Sequence, residues 1–192
     1  MPDLYPKMHS DQPESLPTTT GDRQPLWQAL AKQAPNLSGK RVLAIHAGDG
    51  WFCRCAINHG AIAVLGVDHD AQAISDARAT ASSDRLRYRI MPDSELKLLT
   101  GPYDVIMGTF DLGQDDLRQI THVLAKLLRH NGQMLAAVTT PLAQPVAGKA
   151  PQLNTLFTTN LSIDTVYQIT DARLAAREQI HLVFSSRAHR RD

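Results

Sequence analysis

The segment Arg41-Val-Leu-Ala-Ile-His-Ala-Gly-Asp-Gly50, followed by Val64-Leu-Gly-Val-Asp68, decides the fold of this chain. A short apolar run ends in a glycine-bearing turn, helix-compatible residues follow, and a second apolar run stops at an aspartate. This order is typical of a nucleotide-type βαβ unit. Asp68 lies eighteen residues after Gly50, close to the interval of about 20 residues expected for an acid that accepts hydrogen bonds from ribose hydroxyls.

The turn itself differs from the dinucleotide fingerprint G-x-G-x-x-G. It has two glycines, Gly48 and Gly50, separated by one residue. A glycine lets the backbone approach a ligand closely because it has no Cβ, but this pair gives no reason to expect a pyrophosphate site. An NAD-type oxidoreductase is therefore disfavoured.

Four segments in order resemble a class I S-adenosylmethionine (SAM)-dependent methyltransferase. The segments 37–52 and 59–68 are similar to the opening of that family, whose first motif is acid-x-Gly-x-Gly-x-Gly after a strand, and Pro102-Tyr-Asp-Val-Ile-Met107 resembles its fourth strand. Residues 124–135 resemble its helix, glycine and fifth strand. The resemblance implies a three-layer α/β/α Rossmann-like fold with a mostly parallel seven-stranded sheet that includes one antiparallel strand. Ala44 stands where the family has its acid, and His46 where it has its first glycine.

The length and the charge restrict the possible classes of protein. A chain of 192 residues is long enough for about one domain with a sizeable core. The formal net charge of +1 gives no electrostatic argument for a nucleic-acid partner. No apolar run approaches the roughly 20 residues of a membrane span, and nothing resembles a signal peptide. We therefore expect a cytoplasmic protein with no nucleic-acid or membrane partner.

The two cysteines, Cys53 and Cys55, lie two positions apart in a predicted helix. They would point in different directions, so a mutual disulfide is not expected. Two sulfur ligands without a second pair also argue against a zinc site, and the sequence predicts no metal.

Hydrophobic periodicity predicts alternating strands and helices. Residues 1–23 contain four prolines and are predicted to be a flexible N-terminal segment, although in the resembled family this part often folds over the cofactor. Residues 24–188 are predicted to form the methyltransferase-like domain. Gly60 and Asp70 are expected to cap the helices beside them. The predicted helices are 24–34, 50–59, 71–82, 114–130 and a short one at 150–159, and the predicted strands are 40–46, 61–67, 85–90, 103–108, 133–138, 161–169 and 179–186.

The candidate cofactor-binding residues follow the carboxyl ends of predicted strands, where open α/β sheets bind ligands. The 46–50 turn and the N-terminus of the next helix are expected to hold the methionine end of SAM. Asp68 is expected to bind the ribose, and His69 is expected to lie against the adenine. The resemblance adds residues after the third and fourth strands for the adenine amino group and for the floor beneath the sulfonium. The full set is His46, Ala47, Gly48, Asp49, Gly50, Asp68, His69, Asp93, Ser94 and Gly108.

Several of these residues have a purely structural alternative. The two glycines could be ordinary turn residues, and Asp68 could cap a helix. His46 could narrow the methionine pocket or replace a glycine contact with an imidazole contact, and Asp49 could supply the charge that Ala44 lacks. Asp104 is expected to be structural, because it opens its strand at the end far from the ligand.

Methyl transfer is an in-line displacement at an activated methyl group, so an enzyme contributes mainly alignment. A base is needed only when the acceptor loses a proton, and no catalytic residue is evident. The segment Gly108-Thr-Phe-Asp-Leu-Gly113 does not match the Asn-Pro-Pro-Tyr-type motif of amino or base methylation. The sequence therefore predicts a SAM-dependent methyltransferase acting on a small molecule. The alternative is a non-catalytic methyltransferase-like binding or regulatory module with weakened or lost SAM turnover, which the changes at Ala44 and His46 favour.

Overall fold

The computed structural model describes residues 24–111, 115–141, 161–169 and 178–187. The predicted N-terminal segment 1–23 and the helix predicted at 150–159 lie outside the described residues. Within the described part of the chain, no helix combines the length and the apolar character needed to cross a membrane. The elements in chain order are α1 (Gln24–Lys32), β1 (Arg41–Ile45), α2 (Trp51–Asn58), β2 (Ala63–Asp68), α3 (Ala71–Thr80), β3 (Leu86–Ile90), a 3-10 helix (Asp93–Leu98), β4 (Tyr103–Asp111), α4 (Leu117–Leu127), β5 (Leu128–Pro141), β6 (Leu161–Ile169) and β7 (Glu178–Arg187).

The strands form one sheet in the order β3-β2-β1-β4-β5-β7-β6. The five strands β3, β2, β1, β4 and β5 are parallel. Beyond β5 the sheet continues with β7, which runs antiparallel to both β5 and β6. The alternation of strand and helix and this parallel part confirm the predicted α/β Rossmann-like class. The strand order reverses between β1 and β4, and such a switch point opens a ligand-binding crevice at the carboxyl ends of its strands.

Two apolar clusters cover the two faces of the sheet. Successive side chains of a strand point to opposite faces, and β1 accordingly sends Val42 and Ala44 into one cluster and Leu43 and Ile45 into the other. The first cluster includes residues of α1, α2 and α3, and the second includes residues of the 3-10 helix and α4. Helices therefore lie on both faces, and the end of β1 is held between two packed layers.

The prediction of a long helix over 114–130 is wrong at both ends. It begins at Leu117, where Asp116 is the N-cap and accepts a hydrogen bond from the Gln119 N–H at 3.2 Å. It ends at Leu127, because Leu128 adopts an extended conformation and pairs with Tyr103 in the sheet. Strand β5 therefore starts earlier than predicted, and Asn131-Gly132, predicted to end the helix, lies within it. Leu128 fits the helical spacing of apolar residues, but it is buried because it lies in the sheet beside Tyr103.

Three local predictions are confirmed. Gly60 follows α2 in the left-handed conformation, with φ of 85°. Asp70 is the N-cap of α3, where its side chain accepts hydrogen bonds from the N–H groups of Gln72 and Ala73. Asp104 has a structural role, since its carboxylate accepts a hydrogen bond from the Arg41 N–H at 2.9 Å and pairs with Arg129 at 2.9 Å.

The 3-10 helix offers a matched test of this packing. Leu96 is fully buried in the cluster that includes α4, whereas Leu98 is 64% exposed. Leu96→Ala should lower the free energy of unfolding by about 2–5 kcal/mol, because it leaves a cavity in the core. Leu98→Ala should change it by less than about 0.5 kcal/mol. Urea unfolding of both variants checks this, and equal effects of the two substitutions would contradict the packing described here.

Candidate functional site

The β1–α2 turn lies at the carboxyl end of β1 and has an unusual backbone. His46, Gly48 and Gly50 all have positive φ, at 55°, 56° and 77°. Glycine adopts this conformation readily, whereas another residue bears a cost of roughly 1–2 kcal/mol. The N–H of Ala47 donates to the Val67 carbonyl at 3.0 Å, and the N–H of Gly50 donates to the Ala47 carbonyl at 3.0 Å. The turn is thus closed on itself and attached to β2.

Two aromatic side chains hold the turn in place. The indole N–H of Trp27, from α1, donates to the His46 carbonyl at 3.2 Å, and its ring stacks on Phe52 with centroids 4.9 Å apart. A Cβ added to Gly50 would lie 2.6 Å from Cε1 of Tyr88, so this position needs glycine for space as well as for φ. Burial raises the pKa of the Tyr88 hydroxyl, which therefore stays neutral. A Cβ at Gly48 would meet nothing within 4 Å, so the backbone there faces open space.

Asp68 connects this turn to the end of β2. One carboxylate oxygen accepts a hydrogen bond from the Gly48 N–H at 2.9 Å, and the other accepts from the Asp70 N–H at 3.0 Å. The residue is only 6% exposed. A carboxylate has about four lone-pair sites, so these two bonds leave acceptor capacity for further donors. The side chain therefore braces the turn and remains suited to accept hydrogen bonds from ribose hydroxyls.

His46 lies buried at the switch point between β1 and β4. Its Nδ1 is 2.7 Å from the Thr109 carbonyl oxygen and its Nε2 is 2.9 Å from Oδ1 of Asp93. A carbonyl oxygen only accepts hydrogen bonds, so Nδ1 carries the hydrogen in this pair. The ring also contacts Phe110 edge-on, with centroids 5.4 Å apart. These contacts offset the backbone strain at His46.

The structure therefore brings two predicted site residues into direct contact. Asp93 is the candidate for the adenine amino group, and His46 belongs to the turn expected to hold the methionine end. Their hydrogen bond leaves no room for an organic group such as adenine between the two side chains. The functional assignment of each residue stays a prediction, but a ligand that reaches both groups has to separate them.

Asp49 points toward its own helix. One carboxylate oxygen accepts a hydrogen bond from the Trp51 N–H at 3.0 Å, and the other lies 3.4 Å from the Arg54 guanidinium. Ala44 is fully buried in the apolar cluster with α2. The hypothesis that Asp49 replaces the missing acid stays a prediction, and it would require Asp49 to exchange these partners.

The remaining predicted residues line the same edge of the sheet. Ala47 is buried in the turn. His69 is exposed, with Nδ1 3.4 Å from Oδ1 of Asp68, and Ser94 is exposed in the first turn of the 3-10 helix. Gly108 is buried in β4, where an added Cβ would lie 2.6 Å from the Phe110 ring. Only a residue without a side chain fits between this ring and β1.

Sequence reasoning missed several residues that shape the site, namely Trp27, Tyr88, Thr109, Phe110 and Asp115. The clearest missed signal is Asp115, an acid shortly after the fourth strand, at the same edge of the sheet as the other candidates. One carboxylate oxygen of Asp115 accepts a hydrogen bond from the Asp111 N–H at 2.6 Å. Thr109 could not have been found from its side chain, because it contributes its backbone carbonyl.

A cavity of about 620 Å³ lies elsewhere, between the α1–β1 connection and α2. Its lining includes Leu37, Ser38 and Gly60, which lie near the amino end of β1, and Cys55 and His59 of the α2 region. Burial raises the pKa of the Cys55 thiol, which disfavours the reactive thiolate. Ligands of open α/β sheets bind at the opposite end of the strands, so this cavity is not the candidate site.

No protein-family model matches the chain. A ribosomal protein L11 methyltransferase from Vibrio vulnificus is 27% identical over 150 residues, which make up 75% of this chain and 47% of that protein. A ribosomal protein L11 methyltransferase from Vibrio campbellii is 26% identical over 149 residues. The chain thus spans about half the length of the curated relatives it matches.

Solved structures show the same fold. A Listeria monocytogenes chain classed with the SAM-dependent methyltransferases has a TM-score of 0.72 at 18% identity, covering 85% of this chain and 98% of its own. A ribosomal protein L11 methylase from Lactobacillus delbrueckii has a TM-score of 0.65 at 18% identity, and the match covers 86% of this chain and 79% of the methylase chain. A [4+2]-cyclase has a TM-score of 0.68 at 13% identity, and the match covers 85% of this chain and 80% of the cyclase chain. The chain has the class I methyltransferase fold, and the cyclase illustrates that this fold hosts more than one reaction.

The two glycines of the turn give a matched test of the site's geometry. Gly48→Ala should lower stability by the left-handed strain alone, roughly 1–2 kcal/mol. Gly50→Ala should lower it further, because the new Cβ would also collide with the Tyr88 ring. Thermal unfolding of both variants measures the difference. Equal loss in the two variants would contradict the placement of Tyr88 against Gly50.

Proposed function

We propose that this chain is a SAM-dependent methyltransferase domain, with the cofactor at the carboxyl ends of β1, β2 and β3. The observation that carries the proposal is the β1–α2 turn itself. Two left-handed glycines bring the backbone to the edge of the sheet, open space lies in front of Gly48, and the Gly48 N–H is bonded to the Asp68 carboxylate. This arrangement suits a ligand that combines a ribose with a charged end.

The residues of the chain fit the parts of SAM as follows. Asp68 accepts the ribose hydroxyls and is already oriented by two backbone N–H groups. His69 is exposed beside Asp68 and offers a ring face to the adenine. The backbone of Gly48 and the first turn of α2 receive the methionine end. When bound, SAM supplies the activated methyl group, and the chain contributes orientation.

The His46–Asp93 hydrogen bond couples this binding to a local rearrangement. A hydrogen bond to a charged group such as the Asp93 carboxylate contributes roughly 1.5–3 kcal/mol, and a ligand that uses Asp93 must offset that amount. The apparent affinity is then lower than that of a site with glycine at position 46. Ala44 and His46 indicate a first motif that binds SAM weakly, and this competing hydrogen bond is the physical cause that we propose.

For the acceptor we propose a small molecule. The net charge of +1 gives no electrostatic support for a nucleic-acid acceptor. A second candidate is a protein, because the relatives from Vibrio are named for a ribosomal protein. Incubation with radiolabelled SAM separates these classes: label in the low-molecular-weight fraction of a cell extract supports the first, and label in ribosomal protein supports the second.

A non-catalytic binding module is the alternative from another class, favoured by Ala44 and by the side chain at position 46. A thermal-shift comparison of SAM, S-adenosylhomocysteine, NAD and buffer alone shows which of these cofactors the chain binds. Stabilisation by SAM and S-adenosylhomocysteine supports a SAM site, and stabilisation by NAD alone or by none of them contradicts it. Transfer of label to an acceptor then distinguishes an enzyme from a module that only binds.

Asp68→Asn tests the ribose contact while keeping the shape of the side chain. The loss of a charged acceptor should remove roughly 1.5–3 kcal/mol, which corresponds to about 10- to 150-fold weaker SAM binding in calorimetry. Asp84→Asn is the control, because Asp84 is a fully exposed carboxylate outside the site. Unchanged affinity in a folded Asp68→Asn variant would refute the assignment.

His46→Gly tests the coupling. Glycine suits the positive φ at this position, and the change removes the bond to Asp93. SAM should bind about 10- to 150-fold more tightly, since the loss of roughly 1.5–3 kcal/mol of competing interaction corresponds to that range. Calorimetry measures this, and the melting temperature is recorded separately. If SAM binds no better, the imidazole belongs to a working pocket, and the non-catalytic alternative loses its main support.

A further inference from the structure

We propose that His46, Asp93 and Asp115 form a binding site for one divalent transition-metal ion at the switch point of the sheet. One ligand atom from each of these side chains lies within 4.8 Å of the others, and no other group of three or more His, Cys, Asp or Glu residues in the described part of the chain is close enough to hold a metal. The three residues come from the end of β1, the start of the 3-10 helix and the connection before α4. Only the folded topology brings them together.

The spacing of the ligand atoms suits a metal ion. Nitrogen and oxygen ligands lie about 2.0–2.2 Å from zinc, so two ligands at the tetrahedral angle are roughly 3.4 Å apart, about half an ångström more than the separation seen here. Nε2 of His46 and Oδ1 of Asp93 are 2.9 Å apart. An ion can therefore lie between these two atoms and the Asp115 carboxylate with small shifts of the side chains.

The Thr109 carbonyl orients His46 in the way that metal sites require. Metal-binding histidines almost always donate their other ring N–H to a carbonyl or carboxylate, which fixes the tautomer and the ring. Nδ1 of His46 donates to the Thr109 carbonyl at 2.7 Å. Nε2 is thereby directed at the Asp93 carboxylate, and a ligand atom of Asp115 lies within 4.8 Å.

The other two ligands are also held by the fold. Leu96, fully buried against the α4 layer, anchors the 3-10 helix that carries Asp93. Asp115 is bonded through its carboxylate to the Asp111 N–H, and its own N–H donates to the Asp111 carbonyl at 2.8 Å. Two carboxylates this close repel each other, and a divalent cation between them relieves that repulsion.

The donor set selects the class of cation. One imidazole and two carboxylates suit Zn²⁺, Mn²⁺, Fe²⁺ or Co²⁺, whereas Mg²⁺ and Ca²⁺ prefer oxygen ligands alone. Three protein ligands leave at least one coordination position open, as in catalytic zinc sites. The site shares His46 and Asp93 with the predicted SAM-binding residues, but Asp115 is not among them, so Asp115→Asn tests metal binding apart from SAM binding.

Co²⁺ titration of the full chain, without an affinity tag and after dialysis against a chelator, tests the proposal. We expect one equivalent of Co²⁺ with visible absorption bands, displacement by Zn²⁺, and no displacement by equimolar Mg²⁺. Asp93→Asn and Asp115→Asn should each weaken Co²⁺ binding at least tenfold. Asparagine at position 115 can still accept the Asp111 N–H, and melting temperatures without metal show whether each variant is folded.

Matched controls separate this site from other donors. Asp84→Asn removes an exposed carboxylate and should leave Co²⁺ affinity unchanged. Cys55→Ser removes a sulfur that lies 3.5 Å from Nδ1 of His59 and should also leave it unchanged. His46→Asn suits the left-handed backbone and should weaken binding as the ligand variants do. Absence of stoichiometric Co²⁺ or Zn²⁺ binding, or binding that the Asp93, Asp115 and His46 variants leave intact, would overturn the proposal and leave the cluster as a hydrogen-bonded His–Asp contact.

Discussion

The hydrogen bond from the Gly48 N–H to the Asp68 carboxylate is the constraint on which the candidate site depends. It ties the turn after β1 to the end of β2, so the positions of the glycine backbone, the carboxylate and the first turn of α2 are set together. Trp27 supports the same turn from α1, and Tyr88 supports it from β3. The turn and its supports therefore come from the parallel sheet and from the helical layer that contains α1 and α2. The opposite layer, which contains the 3-10 helix and α4, contributes side chains that face the turn.

His46 distinguishes this chain from the family it resembles. A glycine at this position would leave space above the end of β1, whereas the imidazole fills that space and bonds to β4 and to the 3-10 helix. The left-handed backbone at position 46 costs energy, and the buried hydrogen bonds offset it. His46 lies next to Asp93, and a ligand atom of Asp115 is within 4.8 Å. Both the proposed SAM site and the proposed metal site therefore depend on the same side chain.

The local parts of the fold could be predicted because their signals are local. The glycine turn, the acid eighteen residues later, and the caps at Gly60 and Asp70 depend on backbone geometry and short spacings. The end of α4 could not be predicted, because Leu128 continues the helical pattern while its partner, Tyr103, is distant in sequence. The His46–Asp93 contact spans 47 positions for the same reason. Only the strand order shows that these residues meet.

A crystal structure of the chain with S-adenosylhomocysteine tests the central claim most directly. The account predicts one nucleoside at the carboxyl ends of β1 and β2, with both ribose hydroxyls on the Asp68 carboxylate and the His46–Asp93 hydrogen bond broken or rearranged. A ligand bound elsewhere, or crystals soaked at saturating concentration in which the Asp68 edge holds no ligand and the His46–Asp93 bond is intact, would contradict it.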